Sequence, residues 1–192
     1  MRAVKITGKH NIDKINEIGN ASYKAVRKHL STLDETLVTH PYQLDMLRHL
    51  YIIGPDYIAE NISLFLSELN HKIQGYKGQD QKKAIHNPAS LIILEDVLAK
   101  LVASQLTCDY CAKPILVLYK NVRDPRQWTL DRLDNSLGHT CANTCISCLK
   151  CNLQRRVMAV EKFTFTKKLR IQKGGNPPDP PLLEGEEIEG GC

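Results

Sequence analysis

Two Cys-x-x-Cys pairs, Cys108/Cys111 and Cys148/Cys151, constrain this chain more than any other feature. A Cys-x-x-Cys turn aims two sulfurs at one point. Two such turns supply the four thiolates of a closed tetrahedral zinc site. The pairs are separated by 36 residues, against roughly 15–20 in a simple zinc ribbon. A β-hairpin or a longer insertion must therefore fill the gap. Cys141 and Cys145 lie inside it and leave a second, local set open: Cys141, Cys145, Cys148 and Cys151. Six of the seven cysteines fall between 108 and 151, and the start of the chain, MRAVKITGKH, has no apolar signal segment. That combination favours metal over disulfides and a reducing compartment, cytoplasm or nucleus. No apolar run approaches the roughly 18 residues of a membrane span, so no membrane partner is expected.

The charge is uneven. Residues 104–173 carry 13 Lys and Arg against 5 Asp and Glu, residues 1–103 carry 13 against 11, and the remainder has 5 acids and no base. The cysteine-rich part holds the basic surplus, which suits phosphate and a DNA partner; a solvated basic face is the plain alternative.

The expected architecture is α+β: a helical region over 1–103, a small zinc-stapled ββα finger over 104–173, and an acidic Pro/Gly-rich tail over 174–192. Ile12, Ile15, Ile18, Ala21, Ala25 and Val26 recur near helical spacing behind Asn11. Pro41 and Pro55 sit where helices begin. Leu44, Leu47, Leu50 and Tyr51 form one stripe, and Ile58, Ile62, Phe65, Leu66 and Leu69 another. The polar stretch Gln74 to His86, with Gly75 and Gly78, predicts a loop. Pro88 then predicts the start of an apolar helix running to Val102. In the finger, Ile115 to Tyr119 predicts one strand and Trp128 to Leu133 a second, with Asn121 to Gln127 as the connection. Asn135 to Gly138 predicts a turn. A helix is predicted from about Cys148 to Leu169, with Val157, Val160 and Phe163 buried. Trp128 is expected in the core under the hairpin. The tail composition predicts disorder.

Between the cysteine pairs runs LDRLDNSLGHTCANTCISCLKCN. This string resembles the zinc-containing HNH (His-Me finger, ββα-metal) endonucleases, in a phage and large-DNA-virus subgroup reading LDRIDN-x-x-GYT-x-x-N. The resemblance covers about 60–70 residues and says nothing of residues 1–103. It implies the 108/111/148/151 zinc set, with one pair before the hairpin and the other at the start of the helix. It implies that Asp131 and Asn152 hold a divalent ion, Mg²⁺ or Mn²⁺. It places Arg132 at the usual general-base position and Asn143 at the middle asparagine of the motif. It sets Arg155 and Arg156 on the helix toward DNA, with an exposed, solvated face as the alternative. Arginine stays protonated at neutral pH, so Arg132 suits a phosphate clamp better than a base. Either the metal alone then activates the water, or Asp134 or His139 acts as base, although His139 lies past the turn and reads as a surface or turn-stabilising histidine.

Two functions follow. One is a metal-dependent endonuclease hydrolysing phosphodiester bonds in DNA. The other is a catalytically inactive zinc finger with a structural or DNA-binding role, such as a virion component. A zinc adaptor that meets a protein partner through the helical region and the tail is a third.

Overall fold

The structure, a computed structural model, describes residues 26–54 and 59–169. The expected helix over 12–25, Pro55, Ile58 and the acidic tail lie outside them. Two short 3₁₀ turns, Lys28–Leu30 and Glu35–Val38, lead into α1 (His40–Ile53). Then come α2 (Ile62–Lys82), α3 (Leu94–Ala103), β1 (Trp128–Arg132), β2 (Thr144–Cys148), α4 (Leu149–Arg155) and α5 (Val160–Lys168). The result is mixed α+β, with one antiparallel two-stranded sheet among the described residues.

Helix α1 begins on Thr39 with Pro41 in its first turn, where a missing N–H costs nothing. Its inward stripe is Gln43, Met46, Leu47 and Leu50. Leu44 is half-buried and Tyr51 is exposed, so the stripe lies one position round from the expected one. Helix α2 runs through the predicted loop. Phe65, Leu69, Ile73, Tyr76 and Asp80 recur at three- and four-residue intervals and all are buried. Gly75 and Gly78 each cost about 1 kcal/mol of helix propensity. That cost is offset because the last turns of α2 dock on the hairpin: Leu130 N donates to Tyr76 Oη at 2.9 Å. Helix α3 starts at Leu94, six residues later than Pro88 suggests. Residues 88–93 instead form turns and an extended stretch in which Ile92 N donates to His139 O at 2.8 Å. Asp96 Oδ2 accepts from Ile93 N and holds the first turn of α3.

Residues 115–119 are wholly buried, yet they form no regular strand. The reason is their partners. Val117 N and Leu118 N donate to Gln43 Oε1 at 2.7 and 3.1 Å, and Gln43 Nε2 donates to Leu118 O at 2.9 Å. A buried side chain from α1 supplies bonds that a neighbouring strand would otherwise supply. Of the two predicted strands only Trp128 to Leu133 forms, as β1; its partner is not 115–119 but β2, which the sequence pattern did not predict, with Trp128 opposite Cys148 and Asp131 opposite Cys145. Trp128 is fully buried, edge-on to Tyr76 with ring centroids 6.4 Å apart.

The expected single C-terminal helix is broken. Arg156 takes φ +51°, and Val157 is 87% exposed rather than buried; Phe163 is buried as expected. The break lets Arg155 turn inward, where Nη1 donates to Met158 O at 2.7 Å. One apolar cluster joins Leu47, Phe65, Leu101, Trp128, Leu130, Ile146 and three of the metal-type cysteines. No described helix is long and apolar enough to cross a membrane.

Candidate metal centre and adjoining cleft

Cys108, Cys111, Cys148 and Cys151 converge, their sulfurs all within 4.8 Å of one another. Cys111 and Cys148 Sγ are 4.0 Å apart. Four thiolates around one tetrahedral cation at bonds of about 2.3 Å stand roughly 3.8 Å apart, so the cluster fits such an ion with little adjustment. The local alternative is excluded by position: Cys141 is exposed, and Cys145 Sγ lies 3.4 Å from Tyr110 Oη as a hydrogen-bond donor.

Backbone geometry builds each half of the cluster. Ala112 N donates to Cys108 O, and Cys108 N donates to Lys113 O, with Ala112 in the left-handed region. This knuckle is pinned to β2, since Asp109 N donates to Ile146 O and Ile146 N donates to Asp109 Oδ2. On the other side Cys148 caps α4, its sulfur accepting from Cys151 N at 3.3 Å. Burial, with neighbouring sulfur charge adding to it, pushes the Cys151 thiol up to about 12. The hydrogen bond to Cys148 raises Cys108 as well. Cys108 and Cys151 thus hold their protons unless a cation displaces them.

Beside the cluster, a cleft of about 670 Å³ opens between one face of α2 and the hairpin with α4. Asp131, Arg132, Asn152 and Arg156 all line it. Asn143 is not among its lining residues: its side chain ties the loop together, accepting from Asp134 N and donating to Asp134 O and Gly138 O. Asn152 Nδ2 donates to Thr129 Oγ1 and Leu130 O, anchoring α4 to β1.

The Asp131 carboxylate is closed off. Arg155 Nη2 donates to Oδ1 at 2.7 Å, Arg155 Nε donates to Oδ2 at 2.5 Å, and Tyr110 Oη donates to Oδ2 at 2.8 Å. Arg155, expected on the outer face of the helix toward DNA, is 2% exposed and spent on this pair. The pair raises its pKa further. Arg156, the other residue of that expectation, is exposed and borders the cleft.

Two cleft residues, Lys72 and Tyr76, and Asp80 behind them were not legible as such in the sequence. Lys72 is half-buried, donating to Gln127 Oε1 at 3.0 Å and to Trp128 O. Burial, then the nearby Arg27 charge, lowers its pKa to about 7. Tyr76 lies against His139, ring centroids 4.6 Å apart. Asp80, just behind the cleft, accepts from His139 N at 2.7 Å and pairs with His139 Nδ1 at 2.7 Å. His139 is therefore 3% exposed, not a surface residue. The signal was present: Tyr76 and Asp80 continue the helical repeat begun at Phe65 and Leu69. Compared with protein-family models, curated proteins and solved structures, the chain has no significant match.

Proposed function

We propose that this chain is a zinc-stapled, HNH-type finger that takes the phosphodiester backbone of DNA into the cleft between α2 and the hairpin and hydrolyses it. The observation that carries this reading is the convergence of the Cys₄ cluster, Asp131, Asn152 and the arginines 132 and 156 on one small hairpin-helix unit. Zinc suits four cysteines in a tetrahedron, and bound there it closes the finger. Cys108 and Cys111 would hold it from the knuckle, Cys148 and Cys151 from the start of α4.

The cleft is lined by Arg27, Lys72, Lys83, Arg132 and Arg156 against Glu68 and Asp131. Both acids are paired with arginines, so the free charge is positive. That is the electrostatic footprint of a phosphate-binding surface. Asp131 does not fit a divalent ion in this arrangement. Both its oxygens accept from Arg155, and the guanidinium brings a positive charge where the ion's would lie. That observation favours a second reading, a finger that binds nucleic acid without cutting it.

A plasmid-nicking assay on the zinc-loaded protein separates the two. It is run with Mg²⁺ and with Mn²⁺, beside Asp131→Asn and Asn152→Ala. Cleavage lost in both variants supports the nuclease. Retention of plasmid without nicking, with binding weakened by salt and by Arg156→Ala, supports the second reading. Neither nicking nor retention rejects both.

A further inference from the structure

One titratable pair beside the cleft, Asp80 and His139, includes a histidine that the sequence already offers as a base. Asp80 closes the last turns of α2, and His139 sits on the loop between the two strands. Asp80 Oδ2 accepts the His139 backbone N–H, and Oδ1 faces Nδ1, each at 2.7 Å. Asp80 is 1% exposed. Contact this close needs Gly138, whose missing Cβ would stand 3.0 Å from Asp80 Oδ2 and 2.9 Å from Ile85 O. Tyr76 lies against the imidazole at an interplanar angle of 30° and fixes its plane. A carboxylate on Nδ1 sets the tautomer with the proton there, leaving the lone pair on Nε2. Among the described residues no side chain or backbone group is hydrogen-bonded to Nε2, and His139 lines the cleft. Arg132 borders the same cleft, its Nη1 3.9 Å from Asp80 Oδ1.

A histidine that only ties a loop needs one nitrogen, and the backbone N–H already makes part of that tie. The second nitrogen is left without a hydrogen-bond partner among the described residues, on a side chain that lines the cleft. We propose that His139, positioned by Asp80, is the general base of this cleft, taking the proton of a water that attacks a phosphodiester held by Arg132 and Arg156. The inference rests on the phosphodiester reading above. In the step, the water oxygen bonds to phosphorus as its proton moves to Nε2. The bond from phosphorus to the leaving ester oxygen breaks. That oxygen takes a proton from the imidazolium or from solvent, and neutral His139 is restored. The residue at the usual base position, Arg132, then acts on charge and not on protons.

The protonation state suits the role. The charged groups facing His139 are Asp80 of α2, Lys83 just past its end, and Arg132 of β1. Burial, the largest effect, lowers its pKa, and Asp80 opposes that drop. At neutral pH the base is free.

The test uses the full zinc-loaded chain on fluorescent DNA duplexes and single strands, with rates followed from acid to neutral pH. His139→Asn keeps a donor in the place of Nδ1 and removes Nε2. It is expected to lower kcat by about 10²–10⁴-fold while leaving the Kd for DNA unchanged. Asp80→Asn is expected to lower kcat and to move the acid limb of the pH profile to lower pH, a shift that a purely structural role would not cause. His139→Asn, folded by its thermal transition, cutting at the wild-type rate overturns the base assignment and leaves the phosphodiester reading standing. An unmoved acid limb in Asp80→Asn overturns the positioning role. Wild-type protein that binds DNA and cuts none of it under any metal condition overturns both.

Discussion

Arg155→Met is the sharpest probe of how this fold is held. The guanidinium is buried with five acceptors: both oxygens of Asp131, Arg132 O, Asn135 Oδ1 and Met158 O. Methionine keeps most of the side-chain volume. It leaves the Asp131 carboxylate, 4% exposed, with Tyr110 as its remaining hydrogen-bonding side chain. Removing one partner of a buried ion pair costs about 3–5 kcal/mol, chiefly because the other charge is stranded. Domains of this kind have about 5–15 kcal/mol in all, so roughly a fifth or more of the stability is at stake. With a urea slope of about 2 kcal/mol per molar, the midpoint should fall by about 2 M. Trp128 is a clean probe for the measurement, since it is the single tryptophan and fully buried. Free zinc must be fixed, because anything that binds only the folded state shifts the curve. The double variant Asp131→Asn with Arg155→Met should cost less than the two single changes added together, by about 0.5–3 kcal/mol, since no charge is left alone. An Arg155→Met midpoint within about 0.5 M of wild type would refute the argument. It would mean that the arginine swings out to solvent and that Asp131 is free for another cation.

Stripping zinc, or Cys148→Ser, should unfold the hairpin and expose Trp128, because a structural zinc is worth about 10–16 kcal/mol in small zinc-dependent peptides; Cys141→Ser should keep full zinc occupancy in a metal-release assay. Gly138→Ala should cost about 1–3 kcal/mol in the same urea titration, because the new methyl meets Ile85 O at 2.9 Å and the loop must back away from α2. Lys72, with a folded pKa of about 7, binds fewer protons than the unfolded chain between that pH and the ordinary lysine value of 10.5. Stability should therefore rise with pH from about 7.5 to 9, by up to about 1.4 kcal/mol per pH unit from this group. Lys72→Met should remove that share of the slope, measured as the difference between two urea series.

The cysteine cluster and the first strand of the hairpin were legible in the sequence because their signals are local. A Cys-x-x-Cys turn, an Asn-Ser-Leu-Gly turn and the Trp128 strand each declare themselves within a few residues, and the structure draws the expected four sulfurs together. What failed depended on distant partners. The polar run after Gln74 reads as loop until the hairpin is there to receive Tyr76 and Asp80. Ile115 to Tyr119 reads as strand, but its backbone is satisfied by Gln43, some 70 positions earlier. Arg155 reads as an outward-facing base because charge belongs outside by default; only the Asp131 carboxylate beneath it reverses that. Asp131 itself was singled out by resemblance, while the guanidinium that occupies it was not.

The Gln43 side chain has a consequence for modularity. Residues 117 and 118, between the two cysteine pairs, are held by α1, where Gln43 accepts or donates three hydrogen bonds with them. A fragment beginning at residue 104 would carry all four sulfurs, yet Val117, Leu118 and the floor beneath Trp128 would lose their partners. The finger is thus not a cassette that can be cut out and grafted onto another protein. The chain before it completes it, and a change in α1, far from any sulfur, should be felt in how tightly the metal is held.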